Sequence, residues 1–117
     1  MSTEEQFDRV FKALANPVRR AICDAIRPRP QTTKQLCTEF PTLDRTTVMM
    51  HLRVLEEAGL VVPVRKGRER FNHLDAMPIH HIHERWIGPH AAQAVQGLAR
   101  LKRDLEAVED KEKQSTD

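Results

Sequence analysis

Residues 32–60 read TTKQLCTEFPTLDRTTVMMHLRVLEEAGL, and this stretch decides the fold. Thr32 and Gln35 have capping-box spacing: a hydroxyl accepts from the first helical turn, and a glutamine reaches back to the cap. They open a short helix whose inward residues are Leu36 and Phe40. Pro41-Thr42-Leu43 breaks it, because the residue before a proline is pushed out of the α region. Asp44 then caps a longer helix with Val48, Leu52 and Leu55 on one side. Gly59 closes that helix at the left-handed position beyond its last turn. Two helices joined by about three residues make a helix-turn-helix.

Downstream, Leu60 to Val64 is a short apolar, β-branched run and Phe71 to Leu74 a second, with Lys66-Gly67-Arg68 supplying a glycine turn. This predicts a β-hairpin, with Pro63 on an edge where no ladder donor is needed. A two-stranded hairpin is marginal alone, so it must lean on the helices. Upstream, Phe7, Val10, Phe11 and Leu14 form an i, i+3, i+4, i+7 stripe over residues 3–15, opened by Ser2 and Glu5. Asn16-Pro17 stops that helix and starts another, whose buried face is Val18, Ile22, Ala25 and Ile26 and whose end is marked by Pro28 and Pro30. Helix resumes at Pro78 and breaks near Gly88-Pro89. The last helix carries Ala91, Ala94, Leu98, Leu101, Leu105 and Val108 at alternating gaps of 3 and 4, the spacing of a coiled-coil seam.

The predicted fold class is mainly α with a small β-hairpin: a winged helix-turn-helix with extra N- and C-terminal dimerisation helices. It fills one domain over residues 1–110. Residues 111–117 have no apolar content and are expected to fray. Phe7, Phe11, Leu98, Leu101, Leu105 and Val108 are the expected dimer interface, since the wing and core helices use their apolar faces on each other.

The chain has 117 residues, 39% hydrophobic and 31% charged, which leaves room for one modest core. No run approaches the length of a membrane span, and the polar start is no secretory signal. Two cysteines without a CxxC pair fit a reducing compartment, so the expected location is cytoplasmic. Four Phe, one Trp and no Tyr argue against a β-rich fold. Net charge is only +2, but residues 65–70, Arg-Lys-Gly-Arg-Glu-Arg, carry four positive charges against one negative. Such asymmetry marks a local anion-binding surface.

On the longer helix Thr46, Met50 and Arg53 lie opposite the apolar side, Thr47 and Met49 flank them, and Arg45 projects from the first turn. That is the face a recognition helix presents to a major groove, where arginine reads guanine and threonine or methionine meets a thymine methyl. Arg65, Lys66, Arg68 and Arg70 on the wing would neutralise phosphates or reach the minor groove. The alternative for these cations is a solvated turn, and for the fold a winged-helix module that binds protein without DNA. Arg19 and Arg20 suit either phosphate contact or plain surface charge.

Three blocks resemble a known family. Ala13-Leu14-Ala15-Asn16-Pro17-Val18-Arg19-Arg20-Ala21-Ile22 is similar to the opening signature of the ArsR family of bacterial repressors. The run from Thr46 to Val61, with His51-Leu52-Arg53-Val54-Leu55-Glu56-Glu57-Ala58-Gly59-Leu60 at its centre, resembles the family's recognition helix and the approach to its wing. Gly67-Arg68-Glu69-Arg70-Phe71 resembles the wing. The resemblance implies a homodimeric repressor bound to double-stranded DNA at a palindromic operator, with a small effector of unknown identity as a further partner. Metal-sensing members carry a Cys-x-Cys near the third helix. Here Gln31 to Leu36 hold no cysteine, and Cys37 lies just past them.

His80, His81, His83, Glu84 and His90 crowd one stretch, and imidazole with carboxylate at i, i+3 or i+4 can bind zinc. The family's terminal-helix ligand pattern fits no register here, so surface or interface histidines are the expectation and no metal site is assigned. A metal- or thiol-responsive sensor using this stretch or Cys23 and Cys37 stays open as an alternative, although single helical cysteines usually serve as small hydrophobes. Trp86 is read as interface packing. No phosphate loop, nucleophile elbow or HExxH run appears, so no catalytic residue, no cofactor and no enzyme activity is expected.

Overall fold

In a computed structural model that describes residues 2–88 and 90–115, the predicted elements appear in order with one addition. They are α1 (Thr3–Leu14), α2 (Pro17–Ile26), β1 (Gln31–Thr32), α3 (Thr33–Glu39), α4 (Arg45–Glu57), β2 (Val61–Lys66), β3 (Glu69–Leu74), α5 (Met77–Trp86) and α6 (Ala91–Ser115). The chain divides into two compact units, one up to Ile82 and one from His83 onward. The division falls within the 1–110 span read from the sequence as one domain.

Side chains cap the helix starts of the first unit, and a glycine closes α4. Ser2 Oγ accepts from Glu5 N–H at the start of α1, and Asn16 Oδ1 accepts from Val18 and Arg19 N–H at the start of α2. Thr32 and Gln35 complete a reciprocal capping box, 2.8 and 3.1 Å long, that opens α3. At the end of α4, Gly59 N–H donates to the Glu56 carbonyl and Leu60 N–H to the Leu55 carbonyl. Those are the two bonds of a Schellman motif, and Gly59 takes the φ of 77° that the motif needs. Inside, Ile22 and Ile26 of α2 meet Leu36 of α3 and Val48, Leu52 and Leu55 of α4. Fully burying each such side chain contributes about 1.5–3 kcal/mol.

The sheet has three antiparallel strands in the order β1-β3-β2. Gln31 and Thr32 pair with Asn72 and Phe71, so the hairpin gains a third strand that the sequence reading lacked. Pro63 sits on the edge strand β2, opposite Asn72. Only Gly67 and Arg68 separate β2 from β3, and a positive φ of 63° at the first of these two positions gives a type II′ turn. Its twist matches that of the strands it joins.

In the second unit, Ile87 and Gly88 N–H both donate to the His83 carbonyl, and Gly88 turns the chain with a φ of 67°. Helix α6 then runs 25 residues and continues through 111–115 of the polar tail; residues 116 and 117 lie outside the described residues. Pro89, part of the expected break, also lies outside them. Along α6, Leu98, Leu101, Leu105 and Val108 are 53–66% exposed. Among the described residues no helix is long and apolar enough to cross a membrane.

Candidate nucleic-acid interface

Helix α4 is held at its start by Asp44, whose carboxylate accepts from Thr47 N–H at 2.7 Å. The bonds from the Thr47 backbone and side chain hold the Asp44 carboxyl below its ordinary range. With Val48 and Leu52 committed to the core, Arg45, Thr46, Met49, Met50 and Arg53 are exposed and Thr47 is half-buried. The periodicity of one apolar stripe therefore fixes which side chains a ligand can reach.

The wing stands beside this face. Arg65, Lys66 and Arg68 are exposed, and Lys66 lies 5.7 Å from the Phe71 ring centre. Between wing and helix runs a groove of about 380 Å³. Arg45, Met49 and Arg53 of α4 line one side, and Arg65, Arg68 and Arg70 of the wing line the other. Lys34, exposed near the start of α3, adds a further cation that the sequence reading did not select. Against these six positive charges stand Glu56 and Glu69. A cleft with such an excess of one sign concentrates anions.

Arg70 differs from its neighbours. Its Nη2 donates to Glu56 Oε2 at 3.0 Å and its Nε to Asn72 Oδ1 at 3.1 Å. Asn72 is fully buried, and its Nδ2 donates to the Gln31 carbonyl and the Thr33 hydroxyl at 3.1 and 3.3 Å. Neither Glu56 nor Asn72 stood out in the sequence. Glu56 and Arg70 are fourteen positions apart, and only the return of the chain through the hairpin brings them together.

Arg19 and Arg20 serve the fold. Arg19 Nε donates to the Ala13 carbonyl at 2.7 Å and its Nη2 to that of Lys12 at 3.0 Å, while Arg20 Nη1 donates to that of Leu14 at 2.7 Å. They cap the carboxyl end of α1, where cations are favoured. Arg19 Nη1 also lies 3.3 Å from His51 Nδ1. Since guanidinium can only donate, this contact requires a neutral His51. Burial and the Arg19 charge push the His51 pKa down accordingly.

Of the expected interface residues at the amino end, Phe7 is only 7% exposed whereas Phe11 is 48% exposed. Cys23 and Cys37 are half-buried against the core, and burial followed by the neighbouring Asp24 pushes the Cys23 thiol up, away from thiolate. The stretch from Gln31 to Leu36 holds no cysteine and so lacks the Cys-x-Cys spacing of the thiolate sensors. Along α5 itself, His80, His83 and Glu84 are exposed and offer ligand atoms within 4.8 Å of one another. Trp86 is exposed, with the Arg85 guanidinium 4.7 Å from its ring centre.

A helix-turn-helix whose exposed helix shares a cationic groove with a β-wing is the architecture of DNA-binding regulators. Comparison with known proteins agrees. The family described as a helix-turn-helix domain matches residues 14–64. The HTH-type transcriptional regulator YuzN of Bacillus subtilis is 35% identical over 86 residues, which cover 68% of this chain and 94% of that one. The crystal structure of the ArsR family transcriptional regulator RHA00566 superposes with a TM-score of 0.63 at 27% identity, covering 81% of this chain and 97% of the other. The homodimeric winged helix-turn-helix DNA-binding domain of Mb0332 from Mycobacterium bovis gives 0.59 at 25% identity, with 82% and 80% covered. The chain belongs to the ArsR family of winged helix-turn-helix transcriptional regulators.

Proposed function

We propose that this regulator is a cytoplasmic homodimeric repressor that binds a palindromic operator in double-stranded DNA. Arg45, Thr46, Thr47, Met49, Met50 and Arg53 enter the major groove, and Arg65, Lys66 and Arg68 lie on the flanking phosphates. Exposed methionines at two adjacent positions of the recognition helix favour sites rich in thymine methyls, and the arginines favour guanine. The observation that carries this reading is the shared groove: the same cleft collects cations from helix and wing, as a bound duplex requires.

The partner copy docks on α6. Leu98, Leu101, Leu105 and Val108 offer a continuous apolar seam, Phe11 offers a half-exposed ring, and the similar Mycobacterium bovis domain is itself described as homodimeric. Phe7 contributes only its small exposed edge. Two-fold symmetry places the recognition helices in half-sites about one or two helical turns apart. The raised Cys23 thiol gives a thiol-sensing reading no support.

The test is the salt dependence of binding to a duplex recovered from random DNA. Log affinity falls linearly with log salt, with a slope worth several phosphates, and Arg68→Gln flattens it by about one contact. A wild-type slope near zero would overturn the DNA reading in favour of a protein-binding module.

A further inference from the structure

We infer that Arg70 and Glu56 are positioning residues: through the buried amide of Asn72 they lock the wing at one angle to the recognition helix. This rests on reading the groove as a DNA interface.

Four observations support the assignment. The first is that Arg70, unlike exposed Arg65 and Arg68, already has two nitrogens engaged by Glu56 and Asn72, and its side chain is only 30% exposed. The second is Glu56 itself. An acid lining a groove that gathers phosphates opposes binding through its field, so its place beside Arg70 makes sense as an anchor for the guanidinium. Thirdly, Arg65 and Arg70 are directly opposite each other across β2 and β3. Like charges in that relation push strands apart, and the Glu56 carboxylate offsets the repulsion.

The fourth is the reach of the network. Glu56 belongs to α4, Arg70 and Asn72 to β3, Gln31 to β1 and Thr33 to α3. One polar chain thus ties the wing's central strand to both helices of the helix-turn-helix. Apolar packing permits a hairpin to tilt by small steps, whereas hydrogen bonds anchored on the fully buried Asn72 amide specify one arrangement, with the Arg70–Glu56 pair at their surface end. Arginine suits the task because its planar fork meets two acceptors at fixed angles; lysine keeps the charge but cannot hold both. The two-residue turn and a third strand only two residues long supply little such constraint themselves.

The experiment uses the full chain, a duplex recovered by selection from random DNA, and an unselected duplex of equal length. Arg70→Lys and Glu56→Gln each lower affinity for the selected duplex about tenfold, and the double variant loses no more than the weaker single one, as coupled residues do. Affinity for the unselected duplex is kept or raised, and the salt slope of Arg70→Lys is unchanged. Arg29→Lys, the same exchange at an exposed position away from the groove, stays within about twofold of wild type. In the free protein the heteronuclear NOE of Gly67 and Arg68 falls in Arg70→Lys and Glu56→Gln, with the thermal transition retained. If Arg70→Lys instead binds as wild type while Arg70→Gln loses a unit of salt slope, Arg70 is a phosphate ligand and the inference is wrong. Equal tightening of both duplexes by Glu56→Gln, or an unchanged NOE, overturns it as well. Salt-independent binding by the wild type overturns the DNA reading, and the NOE, which needs no DNA, still judges the positioning role separately.

Discussion

Helices α4 and α6 carry the same kind of apolar stripe and use it differently. On α4, Val48, Leu52 and Leu55 are at most 2% exposed, enclosed by α2, α3 and the sheet. On α6, Leu98, Leu101, Leu105 and Val108 are more than half exposed. Helical periodicity identifies the face that seeks a partner and is silent on whether the partner lies in the same chain. The two stripes therefore separate two energies: one holds the protomer together, and the other is available for association.

Three changes break or sharpen that contrast, in falling order of effect. Leu52→Ala leaves a cavity among Ile22, Leu36 and Val48 and should cost about 2–5 kcal/mol of unfolding free energy. Urea unfolding checks it, and a loss under 1 kcal/mol would mean that α4 is less firmly packed than its burial shows. Leu101→Glu places a charge in the α6 seam with no partner, and an unpaired buried charge costs several kcal/mol in the dimer. Sedimentation at micromolar concentration should show monomers with operator affinity largely lost, while the helix-turn-helix stays folded by circular dichroism. A fully dimeric Leu101→Glu protein would show that the seam is not the interface.

The smallest effect concerns pH. Because the folded His51 pKa lies below its ordinary value of 6.5, the unfolded chain binds the proton more readily. Stability from this residue is complete above about 6.5 and is lost as pH falls towards the folded pKa. His51→Gln keeps an acceptor for Arg19 without titrating, so its unfolding midpoint should change less between pH 7 and pH 5 than that of the wild type. An identical pH profile would mean that another group sets the acid sensitivity.

Much of the fold was legible because its signals are local. Asn16, Thr32 with Gln35, and Asp44 each satisfy donors within three residues of themselves, so chain spacing alone locates the helix starts. Pro63 announced an edge by lacking a donor. Strand β1 was not legible: two residues show no period, and their partners lie about forty positions away. The first helix shows the same limit within a single stripe, since Phe7 and Phe11 share a helical face by spacing but are 7% and 48% exposed.

In the candidate interface, the sequence by itself marked most of the residues available to a ligand, though not Lys34. Charge sign, a turn glycine and the face opposite Val48 and Leu52 follow from order along the chain. Only the tertiary structure decided what each cation does. Arg19 and Arg20 turned to the open carbonyls of α1, Arg70 was drawn to Glu56 and Asn72, and Lys34 joined Arg45 and Arg68 in one groove. The reason is that a guanidinium has several donors and a long, flexible stem, so its partner is set by whichever acceptors the turns of the chain bring within reach, and spacing along the sequence does not choose among them.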